Sequence, residues 1–300
     1  MERSVLLSHI ADTRNMRLIG DDIEIQGFYL CKRKTEYTSV ISYATSEKYA
    51  AMAVNNRAVK ALIITQDLYD IIKSRNGISF SVLISDNPEE DFYNLHHYLY
   101  NKTDFYDKFN FPKGIGNNSK IHPSAVIEDG VIIGDNFFID AFSIVKRGSI
   151  IGDDVKIGCN TIISGEGFQI ININSVPTPI IHAGGCIISN GVTIFNNVVI
   201  SKSLFEGATY IGENVNINSL VSIDHNCKVE KNVLITAGVN LCGSAYVKTG
   251  AWLGANATVL NNVTIGENAL LGIGCVAIRD IPDNAVAVGN PARIIKYKEL

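Results

Sequence analysis

The chain has 300 residues, 46% of them hydrophobic, which is enough for two domains with buried cores. Its net charge of −4 and pI near 5.9 give no sign of the basic surface that nucleic acids and anionic membranes require. The N-terminus has no signal-type apolar segment, and no apolar run approaches the ~18 residues of a membrane-spanning helix. We therefore expect a globular, cytoplasmic protein that binds no nucleic acid and has no membrane span.

Residues 1 to about 115 mix strand and helix signals. Short β-rich apolar runs at Ala58–Thr65 and Phe80–Ser85 are typical of buried strands. Ser46 precedes a helix-forming stretch and is a candidate N-cap. Another helix is predicted from Asn87, with proline and glutamates in its first turn. This part of the chain is therefore predicted to be a small α/β domain.

A six-residue repeat begins after a junction rich in Pro, Gly and Asn at Phe111–Asn118. Eight units run from Ile121 to Phe168, three from 188 to 205, and eleven from Ile211 to Val276. In the longest run, each unit begins with Ile, Leu or Val and has Val, Ala or Cys at its fifth position. This period fits a coiled β-solenoid, because the aliphatic residue enters the core and the small one fills a corner.

The period fails twice, at Gln169–Cys186 and at Glu206–Tyr210. Insertions of this kind leave a solenoid as external loops, commonly on its functional face. The predicted domains are therefore the α/β domain at 1–115, the repeat domain at 116–280 and a C-terminal tail at 281–300.

One repeat unit carries the only histidine of the longest run, His225. If three units make one triangular coil, residues eighteen apart stack about 4.8 Å from each other, which places His225 beside Gly243. An imidazole next to a glycine N–H is the minimum apparatus for acyl transfer, as a general base and an oxyanion donor. Asp224 and Asn226 are available to orient the ring or a substrate, although alternation points Asp224 away from the ring. The alternative is an exposed turn histidine and a glycine that only permits positive φ.

Neither the cysteines nor the histidines predict a metal site. None of the six cysteines has CxxC spacing, and Cys227 and Cys275 occupy fifth positions where a small buried side chain is needed. His122, His182 and His225 are not separated by multiples of eighteen, so stacking on one face does not bring them together. We therefore expect no bound metal.

The repeat resembles the left-handed parallel β-helix of the hexapeptide-repeat acyltransferases. Four further segments occur in an order similar to that of the UDP-3-O-acylglucosamine N-acyltransferase family of lipid A synthesis: 40–50 (VISYATSEKYA), 121–126 (IHPSAV), 165–168 (GEGF) and 224–226 (DHN). The similarity extends over most of residues 20 to 276. It implies a homotrimer with active sites between subunits.

The resemblance also implies roles for individual residues. In that family two aromatic rings sandwich the uracil, and Tyr43 and Tyr49 match their positions. His225 matches the general base, and Gly243 matches the oxyanion amide. The sugar-binding residues expected from the match and from their proximity to the base are Phe168, Asn218, Asp224 and Asn226.

The C-terminus departs from the lipid A family, because Val288–Lys296 replaces its helical extension. This ending is similar to those of acetyl-CoA-dependent nucleotide-amino-sugar N-acetyltransferases and sialic-acid-type O-acetyltransferases. Arg293 and Lys296 are candidates for contacting the coenzyme A phosphates, with surface solubility as the alternative. We expect no permanently bound cofactor. The expected co-substrate is acetyl-CoA or another acyl-CoA, and acyl carrier protein is the less favoured acyl donor.

These observations predict an N-acyltransferase that moves an acyl group, preferably acetyl, from coenzyme A to the amine of a UDP-linked amino sugar for surface polysaccharide such as lipopolysaccharide O-antigen. An acyl-carrier-protein-dependent lipid A type enzyme, a sugar O-acetyltransferase and a non-catalytic solenoid scaffold are the alternatives. Cys227 and Cys242 are the residues that a covalent mechanism would use.

Overall fold

The computed structural model describes residues 4–31, 37–76, 80–106, 109, 112–205 and 207–298. The chain forms two compact units. The first consists of Met1–Asp107 and Gln169–Ile181, and the second of Lys108–Phe168 and His182–Leu300. The segment that interrupts the repeat after Phe168 thus belongs to the first unit, instead of being a loop of the solenoid.

The first unit contains a five-stranded sheet, and the predicted strands at 58–65 and 80–85 are confirmed to within one residue at each end. The strands run parallel except at one edge, where the first is antiparallel to its neighbour. In sheet order they are Arg17–Ile19, Ser81–Ile84, Val59–Ile64, Val40–Tyr43 and Gly27–Phe28. A separate antiparallel pair is formed by Val5–Leu6 and Glu24–Ile25.

In the described part of the first unit, four helices accompany this sheet: α1 (Leu7–Thr13), α2 (Glu47–Val54), α3 (Gln66–Asn76) and α4 (Pro88–Lys102). The helix starts predicted at 46 and 87 are both confirmed. Ser46 is the N-cap of α2 in backbone conformation, but its side chain makes no capping hydrogen bond. The predicted position of the cap is therefore correct, but the expected side-chain hydrogen bond is not formed.

The interrupting segment is an antiparallel hairpin of Ile170–Ile173 and Val176–Pro179. Helix α4 holds the end of this hairpin through two adjacent histidines. His96 Nε2 lies 2.8 Å from the carbonyl oxygen of Ile181, and the Ile181 N–H donates to His97 Nε2 at 3.2 Å. His96 also contacts the Tyr106 hydroxyl at 2.6 Å and is fully buried, so it has a structural role.

The second unit is a parallel β-helix with three faces. The first face contains Val126–Ile127, Ile144–Val145, Ile162–Gly165, Val199–Ser201, Ser222–Ile223, Asn240–Leu241, Thr258–Val259 and Val276–Ala277. The second contains Gly114–Ile115, Val131–Ile133, Ser149–Ile151, Gly185–Ile188, Ala208–Ile211, Lys228–Val229, Tyr246–Val247 and Thr264–Ile265. The third contains Lys120–Ile121, Phe138–Ile139, Lys156–Ile157, Thr193–Ile194, Asn216–Ile217, Leu234–Ile235, Trp252–Leu253, Leu270–Leu271, Ala285–Val288 and Arg293–Tyr297.

The eighteen-residue coil predicted from the repeat is confirmed by the strand registers. Ile223 pairs with Leu241, and Ile217 with Ile235, each eighteen residues further along the chain. The first and fifth residues of the units form one continuous core, in which Ile223 and Cys227 are both fully buried. Cys275 fills the same position, so the reading of these two cysteines as small core residues is confirmed.

The fourth residue of many units turns the corner with positive φ, as Asn226 does at 61°. The chain then ends in a way that the repeat does not predict. Arg293–Tyr297 pairs antiparallel with Ala285–Val288 at the edge of the third face, so the expected tail is a β-hairpin. Within the described residues, no helix is both long and apolar enough to cross a lipid bilayer.

Candidate active site

One corner of the β-helix collects most of the reactive side chains. It lies where the first face passes into the second, after four strands whose registers stack Ile163, Ile200, Ile223 and Leu241 in one column. Residues that follow these strands therefore project from adjacent coils, about 4.8 Å apart. We call this the site corner, and its members are Glu166, Lys202, Ser203, Asp224, His225, Asn226 and Gly243.

His225 is 3% exposed, and its ring is oriented by Asn226. His225 Nδ1 lies 2.9 Å from Asn226 Oδ1, which also accepts the backbone N–H of Leu204 at 3.1 Å. Because Oδ1 accepts from a backbone donor, it is the amide oxygen, and Nδ1 must carry the proton in the neutral ring. The second nitrogen, Nε2, is then the proton acceptor. Asn226 Nδ2 in turn donates to Ser203 Oγ, which fixes the amide.

Gly243 lies against the reactive edge of this imidazole, as the eighteen-residue stacking predicted. A Cβ atom at Gly243 would lie 2.7 Å from Cε1 and 2.8 Å from Nε2 of His225. Its φ is not positive, so the reading of this glycine as a residue that only permits positive φ is wrong. Gly243 is required for space. In the described part of the chain nothing accepts its backbone N–H.

Asp224 does not pair with the ring of His225. Its Oδ1 accepts the backbone N–H of His225 at 2.8 Å, which agrees with the expectation from strand alternation. The carboxylate is thus held at the site corner but is not part of a dyad with the imidazole. The reading of His225 as an exposed turn histidine is also wrong, since the side chain is almost fully buried.

A second buried histidine, His182, packs beside His225, and the sequence argument missed it. The ring centroids are 5.4 Å apart, with an interplanar angle of 59°. The interval argument failed because His182 lies after the hairpin but before the repeat resumes, and because the break near 206–210 adds residues between the two histidines. A usable signal was present: an insertion leaves and rejoins the coil at one place, so Glu166 before it and His182 after it should meet.

Glu166 and Lys202 do accompany His182. Its Nδ1 lies 3.7 Å from Glu166 Oε2, and Lys202 Nζ lies 2.7 Å from Glu166 Oε1. The His182 side chain is completely buried, whereas that of Glu166 is 56% exposed. No group of three or more His, Cys, Asp or Glu side chains in the described residues has the arrangement of a metal site.

The other predicted sugar-binding residues lie in two different places. Phe168 is 81% exposed and follows Gly167, whose backbone lies against His182 and Asp224 at the site corner. Asn218 follows a strand of the third face, so it lies at a different corner, and its Oδ1 accepts the N–H of Ser219 at 2.7 Å. Within one chain, therefore, the fold brings Phe168 but not Asn218 to His225.

Tyr43 and Tyr49 belong to the first unit. Tyr43 ends a strand, donates its hydroxyl to Glu89 at 2.6 Å and packs against Phe92 with ring centroids 5.0 Å apart. Burial, followed by the nearby Tyr93 and Glu89, raises the pKa of Tyr43 far above its ordinary value, so the hydroxyl stays protonated. Tyr49 lies on α2 and is 39% exposed. No ring contact between the two tyrosines occurs in the part of the chain that the structure describes.

The two thiols near the base are poor nucleophiles. Cys227 is fully buried and donates to the Cys242 carbonyl at 3.3 Å, and burial raises the pKa of its thiol well above the ordinary value. Burial, together with the charge of Asp224, also raises the pKa of Cys242. Since the thiolate is the reactive form, neither cysteine suits a covalent intermediate.

The predicted coenzyme A residues, Arg293 and Lys296, are exposed on the terminal strand of the third face. The site corner joins the other two faces. Within one chain the fold therefore does not bring Arg293 or Lys296 to His225.

Comparison with known proteins agrees with this architecture. Residues 130–165 match the family model described as bacterial transferase hexapeptide (six repeats). A UDP-3-O-acylglucosamine N-acyltransferase of Caulobacter sp. (strain K31) is 30% identical over 47% of this chain and 42% of its own length. The chain thus spans less than half of that relative.

Two further relatives differ in the reaction that their names state. An acyl-[acyl-carrier-protein]–UDP-N-acetylglucosamine O-acyltransferase of Sinorhizobium fredii (strain NBRC 101917 / NGR234) is 32% identical over 58% of this chain and 69% of its own length. A dTDP-3-amino-3,6-dideoxy-alpha-D-galactopyranose 3-N-acetyltransferase of Aneurinibacillus thermoaerophilus is 53% identical over 18% of this chain and 29% of its own length. With its stacked parallel strands and its match to more than two thirds of one such enzyme, the chain belongs to the hexapeptide-repeat acyltransferases of left-handed β-helix fold.

Proposed function

We propose that the protein is an N-acyltransferase that transfers an acyl group, preferably acetyl, from coenzyme A to the amine of a UDP-linked amino sugar used for surface polysaccharide. The observation that carries the proposal is the pairing of the oriented His225 imidazole with the Gly243 backbone on the next coil. A general base and an N–H donor in one buried corner are what direct transfer from a thioester needs.

The amine nitrogen attacks the thioester carbonyl carbon while His225 Nε2 accepts a proton from it. The Gly243 N–H stabilises the oxyanion of the tetrahedral intermediate. Collapse of the intermediate breaks the carbon–sulfur bond, and the thiolate leaves with the proton that His225 returns. The raised thiol pKa values of Cys227 and Cys242 support this direct route over an acyl-cysteine intermediate.

An amine acceptor is favoured over a hydroxyl by the charge of the site corner. Asp224 and Glu166 place two carboxylates beside the paired imidazoles, against the single ammonium of Lys202. Carboxylates attract the ammonium form of an amino sugar and offer nothing comparable to a neutral hydroxyl. Tyr43 and Tyr49 would hold the nucleotide base by stacking on its ring.

In a homotrimer, a neighbouring subunit would bring to His225 the predicted binding residues that lie away from it within one chain. Asn218 lies on the corner between the third and first faces, where the large apolar side chains of Leu220 and Ile273 are 66% and 76% exposed. Apolar exposure of this size supports a contact with another copy of the chain. A neighbouring subunit would then present Asn218 to the sugar and Arg293 to coenzyme A.

The proposal is tested with purified protein and acetyl-CoA against a panel of UDP- and dTDP-amino sugars and their hydroxyl analogues, with free thiol release as the readout. Turnover of a UDP-amino sugar supports it. Turnover of hydroxyl sugars alone, or activity only with acyl carrier protein, contradicts it. His225→Ala should lower kcat by ~10²–10⁴-fold. His122→Ala, at an exposed histidine of the same β-helix, is the matched control. Full activity of a folded His225→Ala protein would rule out the mechanism.

A further inference from the structure

The His182 imidazole is buried beside His225 and is surrounded by charged and titratable side chains. It is 1% exposed, and its ring lies 5.4 Å from that of His225. The charged and titratable groups that face it are Glu166, Lys202, His225 and Asp224, from three passes of the chain through the site corner. A second imidazole therefore lies beside the base, at the residue that directly follows the inserted segment.

Glu166 connects His182 to solvent. One carboxylate oxygen lies 3.7 Å from His182 Nδ1, and the other lies 2.7 Å from Lys202 Nζ. Lys202 is itself held by its backbone N–H, which donates to the Gly165 carbonyl at 2.9 Å. The carboxylate is more than half exposed, while the imidazole is completely buried. A proton taken up by His182 thus has an acidic, solvent-accessible group beside it.

The other edge of His182 faces the reaction side of the corner. A Cβ atom at Gly167 would lie 2.5 Å from His182 Nε2 and 3.1 Å from Asp224 Oδ1. Only glycine fits at that contact, so the chain keeps the imidazole nitrogen and the Asp224 carboxylate close together. The residue after Gly167 is Phe168, whose aromatic side chain is exposed.

Acylation of a protonated amine releases one more proton than acylation of a hydroxyl, and the groups around His182 could accept it. An amino group of ordinary basicity is largely protonated near neutral pH. The ammonium must lose two protons in forming the amide: one goes to the departing thiolate through His225, and the other must leave the site. Acylation of a hydroxyl has no such second proton.

We propose that His182 is a second proton acceptor, which removes the extra proton of the ammonium acceptor and passes it to Glu166 and solvent. In this step the nitrogen–hydrogen bond of the ammonium breaks, a hydrogen–nitrogen bond forms at His182 Nε2, and the proton on Nδ1 moves to Glu166 or water. His225 then accepts the remaining proton from the neutral amine. The assignment depends on the proposed function, because it requires an amine acceptor.

The test is the pH profile of kcat/KM for His182→Gln with the amino-sugar acceptor identified above. Below the pKa of the acceptor amine, the variant should be at least about tenfold slower than the unmodified protein. Above that pKa the acceptor arrives already neutral, so the deficit should shrink towards unity. His122→Gln, the matched control, should follow the unmodified protein at every pH.

Glu166→Gln provides an independent variant, because this exposed side chain can be changed without disturbing the buried ring. It should show a smaller deficit with the same dependence on pH. A deficit that is equal at all pH values, in both variants, would overturn the proposal and leave His182 as a structural residue. If the unmodified protein uses no amine acceptor, the proposed function fails and this assignment fails with it. A pH-independent deficit in an active N-acyltransferase overturns only the assignment.

Discussion

Gly243 and His225 are in van der Waals contact across adjacent coils, and the contact exists because residue 243 has no side chain. A Cβ atom there would approach two ring atoms of the imidazole to less than 3 Å. Gly243 is buried, and nothing in the described part of the chain accepts its N–H, so this donor is available for a substrate oxygen. One glycine therefore serves both the position of the base and the proposed oxyanion donor.

Gly243→Ala should lower kcat by about 100-fold, because the ring of His225 must move away from the attacking nitrogen and small displacements of a base are costly. The φ of residue 243 is compatible with alanine, so the fold should persist. Steady-state kinetics and thermal unfolding distinguish the two effects. Gly114→Ala is the matched control, since a Cβ atom there meets nothing within 4 Å. Equal activity of the two variants would show that His225 is not the base.

The hexad pattern was sufficient to predict the β-helix, the coil length and the His225–Gly243 contact. These features depend only on local burial repeated at a constant interval, as with Ile223 above Leu241. His182 was not predictable by interval, because it lies before the repeat resumes and the break near 206–210 changes its spacing from His225. The ring orientation of His225 was not predictable either, because it depends on the positive φ at Asn226 and on a hydrogen bond to Ser203 from an earlier coil.

Asn226 should be a positioning residue for the base. Removing its amide deprives His225 Nδ1 and the Leu204 N–H of their common acceptor, so the ring loses its fixed tautomer and orientation. Asn226→Ala should lower kcat on the order of 100-fold, with a smaller change in KM. Because φ is 61° at this residue, alanine also adds ~1–2 kcal/mol of backbone strain.

Asn226→Gly separates the two contributions. Glycine tolerates the positive φ, so this variant should recover thermal stability relative to Asn226→Ala while remaining equally slow. Recovery of activity together with stability would mean that the amide does not orient the ring. The comparison requires kinetics and thermal unfolding on both proteins under the same conditions.

Replacing Tyr43 or Tyr49 should raise KM for the nucleotide sugar and leave KM for the acyl donor unchanged. Replacing either with alanine removes a stacking surface worth ~1–3 kcal/mol, so KM for the sugar should rise roughly five- to a hundred-fold. Tyr43→Phe keeps the ring and loses only the hydroxyl contact with Glu89, so its KM should stay close to that of the unmodified protein. Measuring KM for both substrates in each variant checks this. Parallel increases in both values would contradict a uracil clamp.

Cys227 and Cys275 allow a matched test of direct transfer. Both occupy the fifth position of a repeat unit and both are fully buried, but only Cys227 belongs to the unit that carries the base. Cys227→Ala and Cys275→Ala should each lower the melting temperature to a similar degree, because each loses a small buried group. Both should retain kcat, since burial raises the pKa of either thiol and suppresses the nucleophilic thiolate. Loss of turnover in Cys227→Ala alone, at equal stability, would require an acyl-cysteine intermediate, and mass spectrometry of protein mixed with acyl-CoA would then detect the acylated chain.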